Sequence, residues 1–254
     1  MEKAFYSGTS GLLLPVPNKQ YYPIEFRDKS RLTYYGSLFN SIEINSSFYK
    51  VPLAKTVKNW AESVPEDFKF TFKLWREITH QKGLSFDPEA VRHFLKIIDE
   101  VGDSKKGCLL VQFPPSIGAT FLPQLSQLLQ TIREADPQSS WKLALEFRHA
   151  SWYQEMTYDL MLTYQAGLVL HDKPGSVSPM VTQETDFIYL RFHGPKGDYK
   201  GGYEDDFLAE YATYIQDWIN EGKTVYVYFN NTAGDAIRNL ETLKTEVHKQ
   251  LSII

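Results

Sequence analysis

The chain has 254 residues, of which 43% are hydrophobic and 23% are charged. This composition supplies enough apolar surface for a packed core and excludes a wholly disordered chain. Lysine and arginine number 27 against 31 aspartate and glutamate residues, so the formal net charge is −4. A negative balance argues against extended electrostatic binding to nucleic acid or to anionic lipid.

The chain shows none of the sequence features of export or membrane insertion. Its single cysteine, Cys108, excludes an intrachain disulfide. No apolar run approaches the ~20 residues that span a bilayer. The first residues lack the apolar stretch of a secretory signal. The sequence therefore predicts a soluble, cytoplasmic protein with no membrane partner.

Short strand-like runs alternate with longer helix-like runs along the chain. Each strand candidate is rich in β-branched, aromatic or leucine residues, and most are bounded by Gly, Pro or Asp. The eight predicted strands cover residues 4–8, 41–45, 68–74, 107–113, 142–147, 167–171, 187–192 and 224–229. The alternation indicates a sheet whose strands are joined by helical crossovers.

Apolar residues recur between the strands at the three- and four-residue spacing that is typical of amphipathic helices. The clearest helical patterns cover residues 90–98, 121–132, 207–218 and 236–247. Pro88 precedes the first of them, at a position where a helix tolerates proline, and Gly222 follows the third. The segment 172–186 has no helical pattern and predicts an irregular loop on the functional face.

Strict alternation of strands and helices predicts a parallel sheet with right-handed crossovers. Eight such units in this length fit a single α/β domain, a (β/α)8 TIM-like barrel over residues 1–254. The alternative is an open doubly wound sheet, which usually carries a glycine-rich phosphate-binding turn after its first strand. The Gly-Thr-Ser-Gly turn at residues 8–11 fits neither the dinucleotide-binding nor the P-loop pattern.

Polar residues concentrate at the carboxyl ends of the predicted strands, which is the face where barrel enzymes place their sites. Side chains two residues apart on a strand share one side. Three such pairs occur, and they are Glu43 with Asn45, Glu146 with Arg148, and Arg191 with His193. Four further candidates stand at other strand ends, and they are Lys73, Gln112, Asp172 and Asn230.

Each candidate also has a structural explanation. An arginine between carboxylates often forms a structural ion pair at a barrel top, and Glu43 fits this interpretation as well as a functional one. For Lys73, a structural role in which the ammonium group extends to the rim is as good an interpretation as a functional one. For His171 and Asp172, the capping of a turn is the favoured interpretation. Cys108 is predicted to lie in the core rather than to act as a nucleophile.

Five ordered motifs resemble the YecE-like family, whose members carry the domain of unknown function 72. They are FNSIEINSSFY at 39–49, FPPS at 113–116, EFRHASW at 146–152, YLRFHG at 189–194 and YFNN at 228–231. The resemblance runs from the first strand to the last helix and implies a TIM-like barrel. It implies no particular reaction, because the family as a whole has no assigned activity.

The mixture of cations and carboxylates favours an enzyme, such as a hydrolase or isomerase, that acts on a small anionic or polyhydroxylated ligand. Arg148 and Arg191 would clamp a carboxylate, phosphate or sugar, since a guanidinium group matches such anions. His193, with Glu146 or Glu43, would perform acid–base catalysis. The remaining predicted ligand-binding residues are Asn45, Lys73, Gln112, Asp172 and Asn230.

Three alternatives stay open. A glycosidase would use Glu43 and Glu146 as paired carboxylates, with a sugar stacked on an aromatic rim of Trp75, Tyr199 and Tyr203. A metal-dependent hydrolase or isomerase would use the carboxylates with histidine, although the sequence has no metal-binding spacing motif and no residue is assigned as a metal ligand. A non-catalytic ligand- or nucleic-acid-binding module would use the Gly, Lys and Tyr residues of loop 194–203, but a flexible lid is the favoured interpretation. The sequence identifies no cofactor and no oligomeric interface.

Overall fold

The computed structural model describes residues 4–251, so residues 1–3 and 252–254 of the predicted domain lie outside the described part. Its eight strands are β1 Phe5–Thr9, β2 Ser41–Ile44, β3 Lys69–Lys73, β4 Lys106–Gln112, β5 Lys142–Glu146, β6 Ala166–His171, β7 Phe187–Phe192 and β8 Thr224–Phe229. Every strand begins and ends within one residue of its predicted bounds. The strands are parallel and form an eight-stranded, nearly closed barrel.

Nine α-helices accompany the strands within the described residues. They are α1 Arg31–Leu38, α2 Ser46–Tyr49, α3 Ala54–Glu62, α4 Arg76–Thr79, α5 Pro88–Ile98, α6 Leu122–Ala135, α7 Glu155–Thr163, α8 Asp205–Asn220 and α9 Ala236–Leu251. The four predicted helices correspond to α5, α6, α8 and α9. Asp87 caps α5 by accepting a hydrogen bond from the Glu89 amide, and Pro88 occupies its first turn. None of the helices between residues 4 and 251 combines the length and the apolar character that a bilayer crossing requires.

The barrel closes between β1 and β2 through a single bridge rather than a regular ladder. Ser10 pairs with Glu43, and the Gly11 amide donates to the Glu43 carbonyl at 2.7 Å. Below this bridge, the Asn40 side chain accepts from the Ser7 amide at 2.9 Å and donates to the Phe5 carbonyl at 2.8 Å. Side-chain hydrogen bonds therefore replace part of the missing ladder.

The Tyr35 hydroxyl of α1 enters the same seam. It accepts from the Thr9 amide at 2.8 Å and donates to the Ser41 carbonyl at 3.1 Å. A glycine at position 8 makes this close approach possible, because a Cβ atom on Gly8 would lie 2.0 Å from the Ser41 carbonyl oxygen. The seam thus depends on one tyrosine, one asparagine and one glycine.

The barrel interior becomes more polar toward the carboxyl ends of the strands. Its buried hydrophobic cluster consists of Tyr6, Cys108, Leu110, Ala144, Val169, Phe187, Tyr189, Tyr226 and Tyr228. Cys108 is a fully buried member of this core, as predicted. The Tyr228 hydroxyl lies 2.8 Å from the Thr71 hydroxyl and also contacts Ser41. Polar contacts therefore begin inside the barrel, below its mouth.

The segment between β6 and β7 contains no helix, as predicted. All of this segment, residues 172–186, is described. Its second half, together with α6 and α7, lines a cavity of about 670 Å³ at the amino ends of β5, β6 and β7. The Gln183 side chain accepts from the Leu168 amide at 2.6 Å and donates to its carbonyl at 3.1 Å. The cavity lies at the end of the barrel opposite the polar strand ends, so this half of the segment is not on the functional face that the sequence predicted for it.

Candidate functional site

The fold brings the ten predicted site residues to one end of the barrel. Five lie in strands, and they are Glu43 in β2, Lys73 in β3, Gln112 in β4, Glu146 in β5 and Arg191 in β7. The other five follow strand ends within two residues, and they are Asn45, Arg148, Asp172, His193 and Asn230. Strand pairing sets Gln112 beside Glu146. The roles of these residues stay predictions, but the contacts among them decide which roles the geometry favours.

Glu43 and Arg191 form a bidentate ion pair inside the barrel. Arg191 Nη2 lies 2.8 Å from Glu43 Oε1, and Arg191 Nε lies 3.1 Å from Oε2. Ser10 donates to Oε1 at 2.6 Å, and the Tyr189 hydroxyl donates to Oε2. Burial alone would raise the pKa of Glu43, but the Arg191 charge and these donors hold it below its usual range.

Glu146 binds two arginines. Arg191 Nη1 lies 3.1 Å from Glu146 Oε2, and Arg148 Nη2 forms an ion pair with Oε1. Glu146 is fully buried, which by itself would raise its pKa, but the two guanidinium charges hold the pKa well below its usual range. Glu43 and Glu146 therefore both bind the Arg191 guanidinium.

His193 is neutral and carries its proton on Nδ1. Its Nε2 lies 2.8 Å from Arg148 Nη2 and 3.0 Å from Arg191 Nη1. Guanidinium groups only donate, so Nε2 accepts both bonds. Nδ1 then donates to Asp172 Oδ1 at 3.2 Å. Burial, opposed by the Asp172 hydrogen bond and assisted by the Arg191 charge, lowers the pKa of His193 to about 4.

Asp172 accepts hydrogen bonds from His193 and from a tyrosine. The His193 amide donates to Asp172 Oδ1 at 2.8 Å, and the Tyr203 hydroxyl donates to Oδ2. The same hydroxyl accepts from the Gly194 amide at 2.6 Å. Tyr203 is buried, so its predicted place on a sugar-stacking rim is wrong. Its hydroxyl satisfies a buried carboxylate instead.

The three residues predicted to be catalytic are fully buried, and they are Glu43, Glu146 and His193. Both carboxylates accept hydrogen bonds or ion pairs from arginine, and the lone pair of His193 Nε2 faces two guanidinium groups. A ligand would have to displace an arginine to exchange a proton with any of them. The geometry therefore favours a positioning role for these residues over direct acid–base catalysis.

Two cationic side chains at the mouth retain free donors within the described residues. The Lys73 ammonium has no hydrogen-bond acceptor or ion-pair partner there, and it lies 4.1 Å from the centroid of the Phe48 ring. Lys73 is 9% exposed. The Arg148 side chain is only 7% exposed, and its Nη1 atom is buried without an acceptor. Burial, followed by the Arg191 charge, lowers the pKa of Lys73 to about 8.

The three amide side chains take little part in this network. Gln112 donates to the Phe113 carbonyl at 2.7 Å. Asn45 Oδ1 is buried without a donor among residues 4–251. Asn230 is buried, and its side chain has no hydrogen bond within the described residues. The unpaired amide groups of Asn45 and Asn230, at the same end of the barrel, add hydrogen-bonding capacity for a polar ligand.

The predicted lid, loop 194–203, packs against the site. The Tyr199 amide donates to the His193 carbonyl at 2.8 Å, and Asn231 donates to the Gly201 carbonyl at 2.9 Å. The Tyr199 ring centroid lies 5.8 Å from that of His193, and Tyr199 is 41% exposed. Tyr199 therefore remains on the rim, as predicted, whereas the mobility of the loop stays a prediction.

The predicted metal-binding alternative receives no support from the geometry. Across residues 4–251, no three or more His, Cys, Asp or Glu side chains form a group that suits a metal ion. Arg191 lies between Glu43 and Glu146 and takes the oxygen atoms that a cation would need. The same guanidinium also occupies the space that a glycosidic bond would need between paired carboxylates.

Sequence comparison gives a match to the family described as "Protein of unknown function DUF72" over residues 6–253. The chain belongs to the DUF72 family. It is 29% identical over 250 residues to UPF0759 protein YunF of Bacillus subtilis, covering 86% of each chain. It is 28% identical over 119 residues to UPF0759 protein YecE of Escherichia coli K12, covering 47% of this chain and 42% of that protein.

Crystal structures of other DUF72 proteins have the same fold. One from Enterococcus faecalis has a TM-score of 0.78 at 22% identity and covers 96% of this chain and 95% of its own. One from Thermotoga maritima has a TM-score of 0.76 at 26% identity and covers 96% of this chain and 99% of its own. The predicted family and the predicted TIM-like barrel are thus confirmed. The family description names no reaction, so function has to be argued from the site.

Proposed function

We propose that the barrel mouth is an enzyme site that binds a small anionic molecule, such as a carboxylate, a phosphate or a sugar phosphate, and performs acid–base chemistry on it. The observation that carries this proposal is the buried Nη1 group of Arg148, which has no acceptor among residues 4–251. A charged donor left unpaired in a protein interior costs more than about 1–3 kcal/mol. An anionic ligand would supply the missing acceptor.

A positive charge without a contacting carboxylate also favours an anionic group at the mouth. Glu43, Glu146, Arg148 and Arg191 form a set of two carboxylates and two guanidinium groups in direct contact. Lys73 adds a positive charge that no carboxylate within the described residues contacts. Together with Asp172, the six charged side chains of the site sum to zero, so what favours an anion is the unpaired Lys73 charge and not a net positive charge.

The buried network fixes the position of the Arg148 guanidinium. Glu146 and His193 contact the same nitrogen, Nη2, which leaves Nη1 as the free donor. An arginine held in this way is preorganised, so a ligand pays little conformational entropy to use it. Glu146 and His193 thus act on a ligand through Arg148, which they hold directly, whereas Glu43 acts one step further away, through Arg191.

Lys73 is the group that suits the proton transfer. Its pKa, lowered to about 8 by burial and by Arg191, lies near physiological pH. A general acid or base is most effective when its pKa is close to the working pH. In this proposal Lys73 takes over the acid–base role that the sequence assigns to His193.

Ligand binding tests the proposal directly. The purified protein is titrated with inorganic phosphate, lactate and glucose 6-phosphate, with glucose as the uncharged reference, and binding is followed by calorimetry and thermal unfolding. We expect at least one anion to bind and to raise the unfolding temperature. Arg148→Gln should weaken that binding at least tenfold, which corresponds to about 1.4 kcal/mol.

Arg92→Gln is the matched control, because Arg92 is an exposed arginine of α5 whose carboxylate partner, Glu89, lies 3.0 Å away. It should bind the anion as the wild-type protein does. The proposal fails if none of the three anions binds, or if Arg148→Gln and Arg92→Gln bind them equally well.

A further inference from the structure

Lys73 differs from the other lysines that the fold buries. Lys105 donates to the carbonyls of Ala61 at 2.7 Å and Val64 at 3.1 Å. Lys106, also buried at its side chain, pairs with two aspartates at 2.7 and 3.0 Å. Unlike these two lysines, Lys73 has no acceptor for its amine among the described residues. A buried lysine that forms no structural bond is available for another use.

The surroundings of Lys73 favour its uncharged form. The Phe48 ring covers the amine at 4.1 Å from the ring centroid and helps to bury it, although the face of an aromatic ring by itself attracts the ammonium form. The nearby charges of Arg191 and Arg148 disfavour the ammonium form, whereas the Glu43 and Glu146 charges favour it but are committed to the arginines. A desolvated lysine beside cationic groups is an activated nucleophile. Its backbone is fixed, because the Ser47 hydroxyl donates to the Lys73 carbonyl at 2.7 Å.

We propose that Lys73 forms an imine with the carbonyl group of a small molecule whose anionic group is bound at Arg148. The inference rests on the proposed anion site and narrows its substrate class to oxo acids and phosphorylated aldehydes or ketones. Lys73 is the last residue of β3, and Arg148 follows β5 at the same mouth, near enough for its charge to act on the Lys73 amine. A bifunctional ligand would therefore be held by its anionic group while its carbonyl group meets the amine.

The covalent step is balanced without an oxidant or reductant. The lone pair of the neutral amine attacks the carbonyl carbon, and the carbonyl oxygen takes up the electron pair of its π bond and a proton to give a carbinolamine. The carbon–oxygen bond of the carbinolamine then breaks, and the oxygen leaves as water together with the two hydrogens that the amine brought. A carbon–nitrogen double bond remains. Protonation of the imine makes neighbouring C–H bonds acidic, which suits isomerisation or carbon–carbon bond chemistry.

Reductive trapping tests the proposal. The protein is incubated with pyruvate or with glycolaldehyde phosphate, and sodium borohydride then delivers hydride to any imine to give a stable secondary amine. Peptide mass mapping locates the adduct. We expect the adduct on Lys73, with at least tenfold less on the exposed Lys96 of α5 in the same sample. Arg148→Gln should reduce trapping on Lys73 at least tenfold, and Lys73→Arg should abolish it.

Further probes separate this inference from the anion site. Lactate carries a carboxylate without a ketone, and acetone carries a ketone without a charge. If lactate or phosphate binds but neither carbonyl probe labels Lys73 above Lys96, the imine is overturned and the anion site stands. If acetone labels Lys73 as well as pyruvate does, and Arg148→Gln has no effect, the anionic substrate class is overturned. Because mapping of the wild-type protein locates the adduct, the test does not depend on folding of the Lys73→Arg variant.

Discussion

Glu43 and Arg191 join opposite parts of the barrel through an ion pair that is almost sealed from solvent. They lie 148 residues apart, in β2 and β7, with Arg191 Nη2 at 2.8 Å from Glu43 Oε1. Arg191 is 2% exposed and Glu43 is fully buried. The same arginine binds Glu146 of β5. One guanidinium group therefore connects three strands at the level where the barrel opens to its mouth.

Glu43→Gln should destabilise the protein by about 3–5 kcal/mol, because it leaves the Arg191 charge buried without one of its two carboxylates. Urea unfolding at pH 7 measures the change. Glu89→Gln is the control, since Glu89 pairs with Arg92 on the surface of α5, and a surface pair contributes at most about 1 kcal/mol. Equal unfolding midpoints for the two variants would contradict a stabilising role for the Glu43–Arg191 pair.

His193 should make the protein less stable as the pH falls from about 6.5 to about 4. Its pKa is lowered, mainly by burial, from 6.5 to about 4, so in this window the unfolded chain binds a proton that the folded protein does not. Each pH unit then costs up to about 1.4 kcal/mol of unfolding free energy. His80, whose pKa burial also lowers to about 4, contributes with the same sign.

Urea unfolding of His193→Gln between pH 7 and pH 4.5 tests this dependence. In His193→Gln, the unfolding free energy should change less steeply with pH than in the wild type, whatever the overall stability of the variant. His93→Gln, on the exposed face of α5, should keep the wild-type pH dependence. His93 provides the control because it lies outside the network. Parallel pH profiles for the wild type and His193→Gln would show that His193 does not resist protonation in the folded protein.

The strand bounds were predictable because their signals are local. A strand of a parallel barrel is covered on both faces, so it appears as a short apolar run between turn residues. The shared side of Glu146 and Arg148, and that of Arg191 and His193, follow from the two-residue period of a strand. The same period places Tyr189 beside Arg191, a signal for its contact with Glu43 that the predicted site did not include.

The partner of each charge was not predictable, because partners meet across the ring. Nothing near Glu43 in the sequence indicates that Arg191 is its partner, since their meeting depends on the stagger of strands around the whole barrel. The sequence therefore left catalytic and structural interpretations of Glu43 equally open. Tyr203 was misplaced for a related reason: the path of loop 194–203, rather than any local pattern, directs its hydroxyl to Asp172.

Tyr35→Phe should weaken the β1–β2 seam. It removes the hydroxyl that accepts from the Thr9 amide and donates to the Ser41 carbonyl, which leaves buried polar groups unpaired at a cost of about 1–3 kcal/mol. Urea unfolding and hydrogen exchange of the Thr9 amide provide the measurements. Tyr49→Phe, on an exposed tyrosine of α2, should change neither. Unaltered protection of Thr9 in Tyr35→Phe would mean that the seam does not need this hydroxyl.

Lys73 should become reactive toward acylating reagents near pH 8, well below the value of 10.5 for an unperturbed lysine, because burial and the Arg191 charge lower its pKa to about 8. Limiting acetic anhydride, added at a series of pH values, reports the neutral fraction of Lys73 through peptide mass mapping. Arg148→Gln removes a charge that disfavours the ammonium form, so the midpoint should move to higher pH. Arg92→Gln should leave it in place. A Lys73 midpoint near pH 10.5, or one that Arg148→Gln does not change, would show that the surrounding residues do not lower the pKa of this amine. Either result would contradict the acid–base role proposed for Lys73.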